Sequence, residues 1–380
     1  MLTLPPLSLY IHVPWCVRKC PYCDFNSHAL KQNDGIPEQD YVDALLADFQ
    51  EELSKAQGRE LKTLFIGGGT PSLLSPASYQ RLLPELNKRV PFASDIEITL
   101  EANPGTYEHG RFQGYFDAGI NRLSLGVQSF QDEKLKALGR IHSAGEAINA
   151  IESLTATGFS NFNIDLMHGL PNQSRDDALH DLKAAIALKP AHISWYQLTI
   201  EPNTVFYTKT PVLPVDDTLW AIQEAGQALL ETSGYHQYEI SAYSQTDRQA
   251  RHNLNYWQFG DYIGIGAGAH GKWSCKASGT VHRNWKTRMP NDYLSREKPF
   301  QAGIRTLEPS ELPLEFMMNA LRLHQGVPAM LYPQATGLPI STLQSAWDLA
   351  CKKELMTPGK QLMPSEHGRL FLNDLLALFA

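Results

Sequence analysis

Residues 10–25 read Y-I-H-V-P-W-C-V-R-K-C-P-Y-C-D-F, a short apolar run followed at once by three cysteines. Cys16, Cys20 and Cys23 lie within eight residues, whereas the whole chain of 380 residues contains five cysteines. Under reducing conditions, three cysteines this close together suit a metal site better than a disulfide framework. The apolar run indicates a buried strand, so the cysteines are predicted to lie on the loop at its carboxyl end.

Five further runs have the same apolar, β-branched character as the first one. Helical patterns with acidic first turns lie between several of them, for example from Asp40 and from Ser174. Repeated βα units of this kind predict an α/β fold with a parallel sheet that curls into a partial (β/α)6 barrel, since a full barrel needs two more units. The six predicted strands are 7–13, 63–67, 96–101, 122–127, 162–167 and 192–198.

Polar and glycine motifs follow the carboxyl ends of these strands. In a parallel barrel all carboxyl ends open on one rim, where sites are built. One rim is therefore predicted to collect the cysteines, a glycine loop and several polar side chains. Beyond the cysteines, the residues at these ends are 67–71 (G-G-G-T-P), Glu101, Gln128, Asp165, His168 and 199–201.

The cysteine spacing C-x3-C-x2-C predicts an iron–sulfur site. Three thiolates can hold three corners of a [4Fe–4S] cluster and leave one iron open, and S-adenosylmethionine can chelate such an iron through its amino group and carboxylate. A structural zinc site with His28 as fourth ligand is one alternative, and buried cysteines without a metal are another. The glycines would let the backbone approach a bound amino-acid moiety, although a tight βα turn would also explain them.

Three domains are predicted along the chain. Residues 1–235 form the barrel core, and residues 236–295 form an extension with H-N-L-N-Y-W and a glycine-rich tract that closes or caps the sheet. Residues 296–380 form a small helical or winged-helix-like domain, which a linker at 296–313 joins to the rest.

The charge balance excludes some classes of partner. The chain has 33 Lys and Arg against 40 Asp and Glu, a net charge of −7, and residues 296–380 carry eight basic and eight acidic side chains. Nucleic-acid binding, which needs a basic surface, is therefore disfavoured. The start of the chain lacks a signal-peptide pattern and no apolar run is long enough to span a bilayer, so we expect a cytoplasmic protein without direct membrane insertion.

Six motifs occur in a characteristic order: Y-I-H-V-P-W-C-V-R-K-C-P-Y-C, G-G-G-T-P, E-A-N-P, G-V-Q-S-F, L-G-R-I-H and N-I-D-L-M-H-G-L-P. This set resembles the radical S-adenosylmethionine superfamily. Within it, the set is most similar to the branch of oxygen-independent coproporphyrinogen III oxidase and the haem chaperones of the HemW type. The resemblance covers essentially the whole chain, including a C-terminal domain of the HemN type.

The resemblance implies a role for each matching residue. Cys16, Cys20 and Cys23 would ligate the cluster. For each polar residue of the cofactor site, the alternative is a hydrogen bond between strands inside the barrel. The residues that would contact S-adenosylmethionine or line its site are Tyr10, Tyr22, Gly68, Gly69, Thr70, Glu101, Gln128, Arg140, Asp165, Thr199 and His270.

Three features separate the oxidase from the chaperone, and all favour the chaperone. The oxidase pattern has a fourth cysteine where this chain has Phe25, and it has a longer arm before the position of Tyr10. The third feature is the tract H-N-L-N-Y-W at residues 252–257, which the resemblance associates with haem in the chaperone branch. It implies that His252, Tyr256 and Trp257 contact haem, and the residue types are compatible with this, since imidazole is a common axial ligand and aromatic faces pack a porphyrin. A histidine in an asparagine-rich loop is, however, more often a hydrogen-bonded structural residue.

The resulting hypothesis is a haem chaperone that binds one [4Fe–4S] cluster, S-adenosylmethionine and haem b. It would pass haem to recipient proteins. The implied partners are haem acceptors such as respiratory enzymes, bacterioferritin-like haem donors and a second copy of the chain. The rival functions are radical oxidative decarboxylation of propionate side chains by an oxygen-independent coproporphyrinogen III oxidase, and a zinc-stabilised binding module.

Overall fold

A computed structural model describes residues 2–30, 35–105 and 110–380. We number its strands β1 to β16 along the chain. Two short pairs lie outside the main sheet, namely β2 (Trp15–Cys16) with β3 (His28–Ala29) and β15 (Val327–Pro328) with β16 (Gln361–Leu362). The main sheet contains β1 (Leu7–Val13), β4 (Leu61–Gly68), β5 (Phe92–Ala102), β6 (Arg122–Gln128), β7 (Phe162–His168), β8 (His192–Gln197), β9 (His236–Glu239), β10 (Ala242–Ser244), β11 (Asp261–Ile265), β12 (His270–Cys275), β13 (Thr280–Lys286) and β14 (Gln301–Thr306).

The centre of the sheet is parallel and confirms the six predicted strands. These are β1 and β4 to β8, which lie side by side in chain order. Their residues are buried on both faces, as expected of parallel strands covered by helices. The fold is therefore the α/β partial barrel that the sequence predicts.

The glycine-rich tract extends the sheet rather than closing it. Its first part, β11, pairs in parallel with β1, from Leu7 opposite Asp261 to Ile11 opposite Ile265. Gly266 and Gly268 then adopt positive φ values of 99° and 83°, which let the chain turn back into antiparallel β12. β13 and β14 continue this antiparallel extension, while β10 and β9 flank β8 at the other end.

Helices connect the parallel strands and share one core with them. Val42, Leu45 and Phe49 on the first helix pack in the same apolar cluster as Leu9 and Ile11 of β1. The helices in the described residues before the C-terminal region are Glu38–Glu52, Pro76–Arg89, Phe112–Asp117, Asp132–Ala137, Ala144–Ala156, Arg175–Ala187, Val205–Thr208, Asp216–Thr232, Arg251–Trp257 and Pro290–Ser295, and short 3-10 turns lie at Leu53–Ala56 and Pro71–Leu73.

A second apolar core holds the C-terminal helices. Phe316, Tyr332 and Trp347 lie in it together with Leu2 and with Phe259 from the extension. None of the helices in the described ranges is long and apolar enough to cross a bilayer. The C-terminal helices are Leu312–Ala320, Leu331–Thr336, Ser341–Lys352, Glu366–Leu370 and Leu372–Leu376, followed by a 3-10 turn at Ala377–Phe379.

The segment predicted as a linker, 296–313, contains a strand. β14 joins the main sheet beside β13, with Gly303 opposite Trp285. Its residues are mostly exposed, so they lack the apolar alternation by which a strand is recognised. The domain limits predicted at 235/236 and 295/296 stay predictions.

Candidate functional site

The cysteine loop follows β1 and is closed by backbone hydrogen bonds. β2 and β3 pair in parallel, with the amide of His28 donating to Pro14 O at 2.7 Å and the amide of Leu30 donating to Cys16 O at 2.9 Å. The Asn26 side chain donates to Ala267 O and Arg288 O, both at 3.0 Å. The loop is thus anchored to the extension as well as to itself.

The three cysteines lie around one cavity. Cys16 is buried, Cys20 and Cys23 are half-buried, and all three are free thiols. They line a cavity of about 340 Å³, which we call the cysteine cavity; ligand sites commonly measure about 300–1,000 Å³. Each cysteine of a [4Fe–4S] cluster binds a different iron, so three thiols around one cavity suit that group.

His28, the fourth ligand of the zinc alternative, lies on β3 with its Nε2 3.3 Å from Asn26 Oδ1. It is not among the residues that line the cysteine cavity. In the described part of the chain, no three His, Cys, Asp or Glu side chains are grouped to hold one single metal ion, as a zinc site would require.

The glycine loop after β4 packs directly on the cysteine loop. A Cβ atom on Gly69 would lie 2.4 Å from Trp15 O, and one on Gly68, where φ is +117°, would lie 2.7 Å from the His12 ring. The amides of Gly69 and Thr70 donate to Val13 O and Trp15 O, each at 2.7 Å. Since these N–H groups are occupied, the loop can offer a ligand amino group its carbonyl oxygens. Gly68 and Gly69 are therefore required by the close packing of the two loops, in addition to any access that they give a ligand.

Two half-buried carboxyl groups form part of the cavity wall. Glu101 Oε2 accepts a hydrogen bond of 3.1 Å from the amide of Gly68. Burial, and then the charge of Asp165, raises the pKa of Glu101 to about 8. Burial also raises the pKa of Asp165, whose carboxyl accepts hydrogen bonds from Asn163 Nδ2 at 2.7 Å and Ser124 Oγ at 3.0 Å. A cation in this cavity would stabilise the charged carboxylates, so the wall suits a positively charged ligand.

Arg140 reaches from this wall to the cysteine loop. Its Nη1 lies 3.6 Å from Cys20 Sγ, and its Nη2 donates to Asn103 Oδ1 at 2.7 Å and to Gly126 O at 2.6 Å. A guanidinium beside a sulfur favours the thiolate form that binds metal. The resemblance implies that Arg140 contacts S-adenosylmethionine, and the structure adds a contact between Arg140 and Cys20.

The structure divides the predicted cofactor residues between two places. Thr199 is exposed just beyond β8 and lines neither cavity described here, and Tyr10 and His270 line a second cavity. The predicted residues that line the cysteine cavity with the three cysteines are Tyr22, Gly68, Gly69, Thr70, Glu101, Gln128, Arg140 and Asp165.

Sequence reasoning missed several polar residues of the cysteine cavity. Ser194 and Tyr196 line it from β8, and the Tyr196 hydroxyl donates to Gln128 Oε1 at 2.8 Å. In H-I-S-W-Y-Q, Ser194 and Tyr196 alternate with buried Ile193 and Trp195. This period of two could have indicated that Ser194 and Tyr196 lie together on the other face of the strand. Asn103, part of E-A-N-P, also lines the cavity.

The second cavity measures about 770 Å³ and borders the first. Both cavities are lined by Phe25, Gly68 and Glu101. We call the second one the aromatic cavity, because four of its other lining residues are Tyr10, Tyr256, Tyr262 and Trp285. The cavity is also lined by His12, Asp24, Asn26, Gly268, His270, Lys286 and Arg288.

His252 is buried behind Tyr256 of the aromatic cavity, and both of its ring nitrogens are in hydrogen bonds. Its Nδ1 shares a hydrogen bond of 2.7 Å with Thr63 Oγ1, and its Nε2 shares one of 2.9 Å with the Tyr256 hydroxyl. Burial, with a further effect from Arg122, lowers the pKa of His252 to about 3. Trp257 lies beside Arg322, whose guanidinium is 4.1 Å from the indole ring centroid. His252 could therefore reach a haem iron only if Tyr256 moved, and its haem role stays a prediction.

Known proteins resemble this chain in sequence and fold. Residues 10–185 match the family model described as the Radical SAM superfamily. The chain is 53% identical over 380 residues to the heme chaperone HemW of Escherichia coli (strain K12), covering 100% of this chain and 99% of that protein. It is 52% identical over 384 residues to the heme chaperone HemW of Haemophilus influenzae, with coverage of 100% and 99%.

One solved structure shares the fold over almost the entire chain. It is the coproporphyrinogen III oxidase (HemN) from Escherichia coli, described as a radical SAM enzyme. The TM-score is 0.81 at 22% sequence identity, and the match covers 99% of this chain and 90% of that one. At this identity the likeness concerns the fold alone.

A partial parallel barrel with a three-cysteine loop after its first strand is the arrangement of the radical S-adenosylmethionine class, and the family match covers this part of the chain. The full-length relatives place the chain more narrowly. The chain belongs to the HemW family. The resemblance read from the six sequence motifs is thereby confirmed.

Proposed function

We propose that this protein is a haem chaperone that holds one [4Fe–4S] cluster and S-adenosylmethionine in the cysteine cavity and delivers haem b to recipient proteins. The proposal rests mainly on one observation: three free cysteines and several polar side chains, among them Glu101 and Asp165, line the same cavity. Its full-length relatives are named heme chaperones, which supports haem as the cargo.

Cys16, Cys20 and Cys23 would hold the cluster, which supplies an electron-transfer centre and one iron that is open to a ligand. The protein contributes position and shielding. The β2–β3 pair fixes the ends of the cysteine loop, and Arg140 places a positive charge beside Cys20.

The polar wall would bind S-adenosylmethionine. Carbonyl oxygens of the glycine loop would accept hydrogen bonds from the amino group, because the amides there are already engaged. Glu101 would face the positive charge of the ligand, and Asp165 would accept hydrogen bonds from the ribose hydroxyls. Gln128 is positioned from the other side by Tyr196.

We further propose the cytoplasm as the compartment, because a reducing environment keeps the cysteines free for metal binding. The proposed recipients are haem-dependent proteins such as respiratory enzymes, and bacterioferritin-like proteins are proposed donors. Association of two copies is proposed as well, and light scattering with and without haem would test it.

The decisive experiment combines metal analysis, haem titration and transfer. Anaerobically purified and reconstituted protein should contain about four irons per chain, and a variant with Cys16, Cys20 and Cys23 changed to Ala should contain none. The cluster-loaded protein should bind one haem and pass it to the apo form of a b-type haem protein. Zinc in place of iron, or failure to bind haem, would overturn the proposal. Conversion of coproporphyrinogen III to protoporphyrinogen IX would favour the oxidase instead.

A further inference from the structure

The aromatic cavity has the shape and chemistry of a site for a flat apolar ligand. Its volume of about 770 Å³ lies inside the range of about 300–1,000 Å³ that is common for ligand pockets. Phe25 is 64% exposed and Trp285 is 37% exposed, although both are large apolar side chains. Covering such exposed aromatic faces with a flat ring system buries apolar surface and therefore favours binding of the ligand.

Two histidines in or next to this cavity, His12 and His252, are engaged in hydrogen bonds, whereas His270 is available as a ligand. His12 shares hydrogen bonds of 2.9 Å with the Tyr10 hydroxyl and with Asn26 O, so both its ring nitrogens are engaged. His252 is engaged in the same way by Thr63 and Tyr256. His270 is exposed, and among the described residues no hydrogen-bond partner is found for its imidazole.

His270 lies on the same face of the sheet as Trp285, one of the aromatic residues of the cavity. It begins β12 and lies opposite Trp285 of antiparallel β13. Directly opposed residues in such a pair project from the same face of the sheet, and both of these line the aromatic cavity. Partial desolvation by the surrounding protein, and then the charges of Arg283 and Arg288, lower the pKa of His270 below its ordinary value of 6.5, which favours the neutral imidazole that an iron ligand must have.

One cation that lines the cavity has no anionic partner among the described residues. Arg288 is exposed, and in the described ranges no ion pair is found for its guanidinium. Lys286, the neighbouring cation, is fully buried and paired with Asp48 and Glu52. Arg288 is therefore the group that can bind a carboxylate of an incoming ligand.

We propose that haem, the cargo assigned above, binds in the aromatic cavity with His270 as the axial ligand of its iron. Trp285 and Phe25 pack against the macrocycle, and Arg288 pairs with a propionate. This inference rests on the proposed function and names the site for it. Because Phe25, Gly68 and Glu101 line both cavities, the haem lies next to the S-adenosylmethionine site.

The test is haem titration of the full, cluster-loaded chain, in which the cluster keeps the three thiolates from binding haem iron. His270→Gly should weaken haem binding by about tenfold and change the ligand-sensitive visible spectrum, and added imidazole should restore both. His236→Ala removes an exposed histidine that pairs with Glu231 outside the cavity, and it should bind haem like the wild type. Arg288→Gln should weaken binding of haem but not of haem dimethyl ester, which lacks the propionate charges.

Each result decides a separate point. If the wild type binds haem but His270→Gly binds it equally well, the site is wrong while the proposed chaperone function stands. The same holds if His252→Gln, and not His270→Gly, abolishes binding without a loss of folded protein. If the wild type binds no haem, the proposed function fails and this inference fails with it.

Discussion

Glu101→Gln offers a direct test of the electrostatics of the cysteine cavity. Gln keeps the size of the side chain and can still engage the amide of Gly68, but it cannot carry a negative charge. S-adenosylmethionine carries a positive sulfonium at every pH. The ionised form of Glu101 should therefore bind it more tightly than the protonated form does.

The size of the effect follows from the raised pKa of Glu101, which is about 8 in the folded protein compared with an ordinary value of 4.5. Its carboxyl is mostly protonated below the raised pKa and ionises as the pH rises through it. If only the ionised form binds, the apparent Kd scales as about 1 + 10^(pKa − pH), and affinity should rise by up to about 25-fold between about pH 6.5 and about pH 8.5.

The assay is isothermal titration of cluster-loaded protein with S-adenosylmethionine across this pH range. The amino group of the ligand also titrates there, but it does so equally for both proteins. The ratio of the two affinities therefore isolates Glu101. Glu133→Gln, an exposed change elsewhere on the chain, serves as the matched control. A ratio between Glu101→Gln and wild type that stays constant across the range would refute the reasoning.

Three further changes test the packing around the site. Gly69→Ala should lower the iron content and cost about 1–3 kcal/mol of unfolding free energy, because its Cβ would lie 2.4 Å from Trp15 O. Cys20→Ala should abolish cluster binding yet keep the native circular dichroism spectrum, because its loop lies at the rim of the barrel. Lys286→Ala should cost about 3–5 kcal/mol in a urea titration, because Asp48 and Glu52 would stay buried without their cation.

Each of these changes has a control of the same residue type. For Gly69, the control is Gly145→Ala, where an added Cβ meets nothing within 4 Å. Cys351→Ala should leave the iron content unchanged, and Lys298→Ala removes an exposed cation and should have little effect on stability. Equal effects in test and control would contradict the corresponding prediction, and loss of all folded protein in Cys20→Ala would contradict the rim placement.

The parallel centre of the fold could be predicted because its strands are buried on both faces. Burial of this kind demands apolar, β-branched residues, and those runs are visible in the sequence. β11 and β14 do not show this signal. D-Y-I-G-I is interrupted by Gly264, which packs against the backbone of His270, and β14 is largely exposed. Their place in the sheet depends on long-range pairing with β1 and β13.

The rim location of the site could be predicted for a similar reason, since parallel strands bring their carboxyl ends together. The division into two cavities could not. It depends on where Phe25 and the glycine loop lie in space, which no spacing reveals. The hydrogen bonds of His252 were equally hidden, because Thr63 is 189 positions away along the chain.

The pairing of β1 with β11 has a consequence for how the protein is made. Strand β1 keeps one edge without its partner until residues 261–265 have been translated. Asn26 likewise lacks its acceptors until Ala267 and Arg288 have emerged. The cysteine loop therefore reaches its final geometry only after Arg288 has emerged, and we expect assembly of the proposed iron–sulfur cluster to act on a chain translated past this residue rather than on a shorter nascent chain.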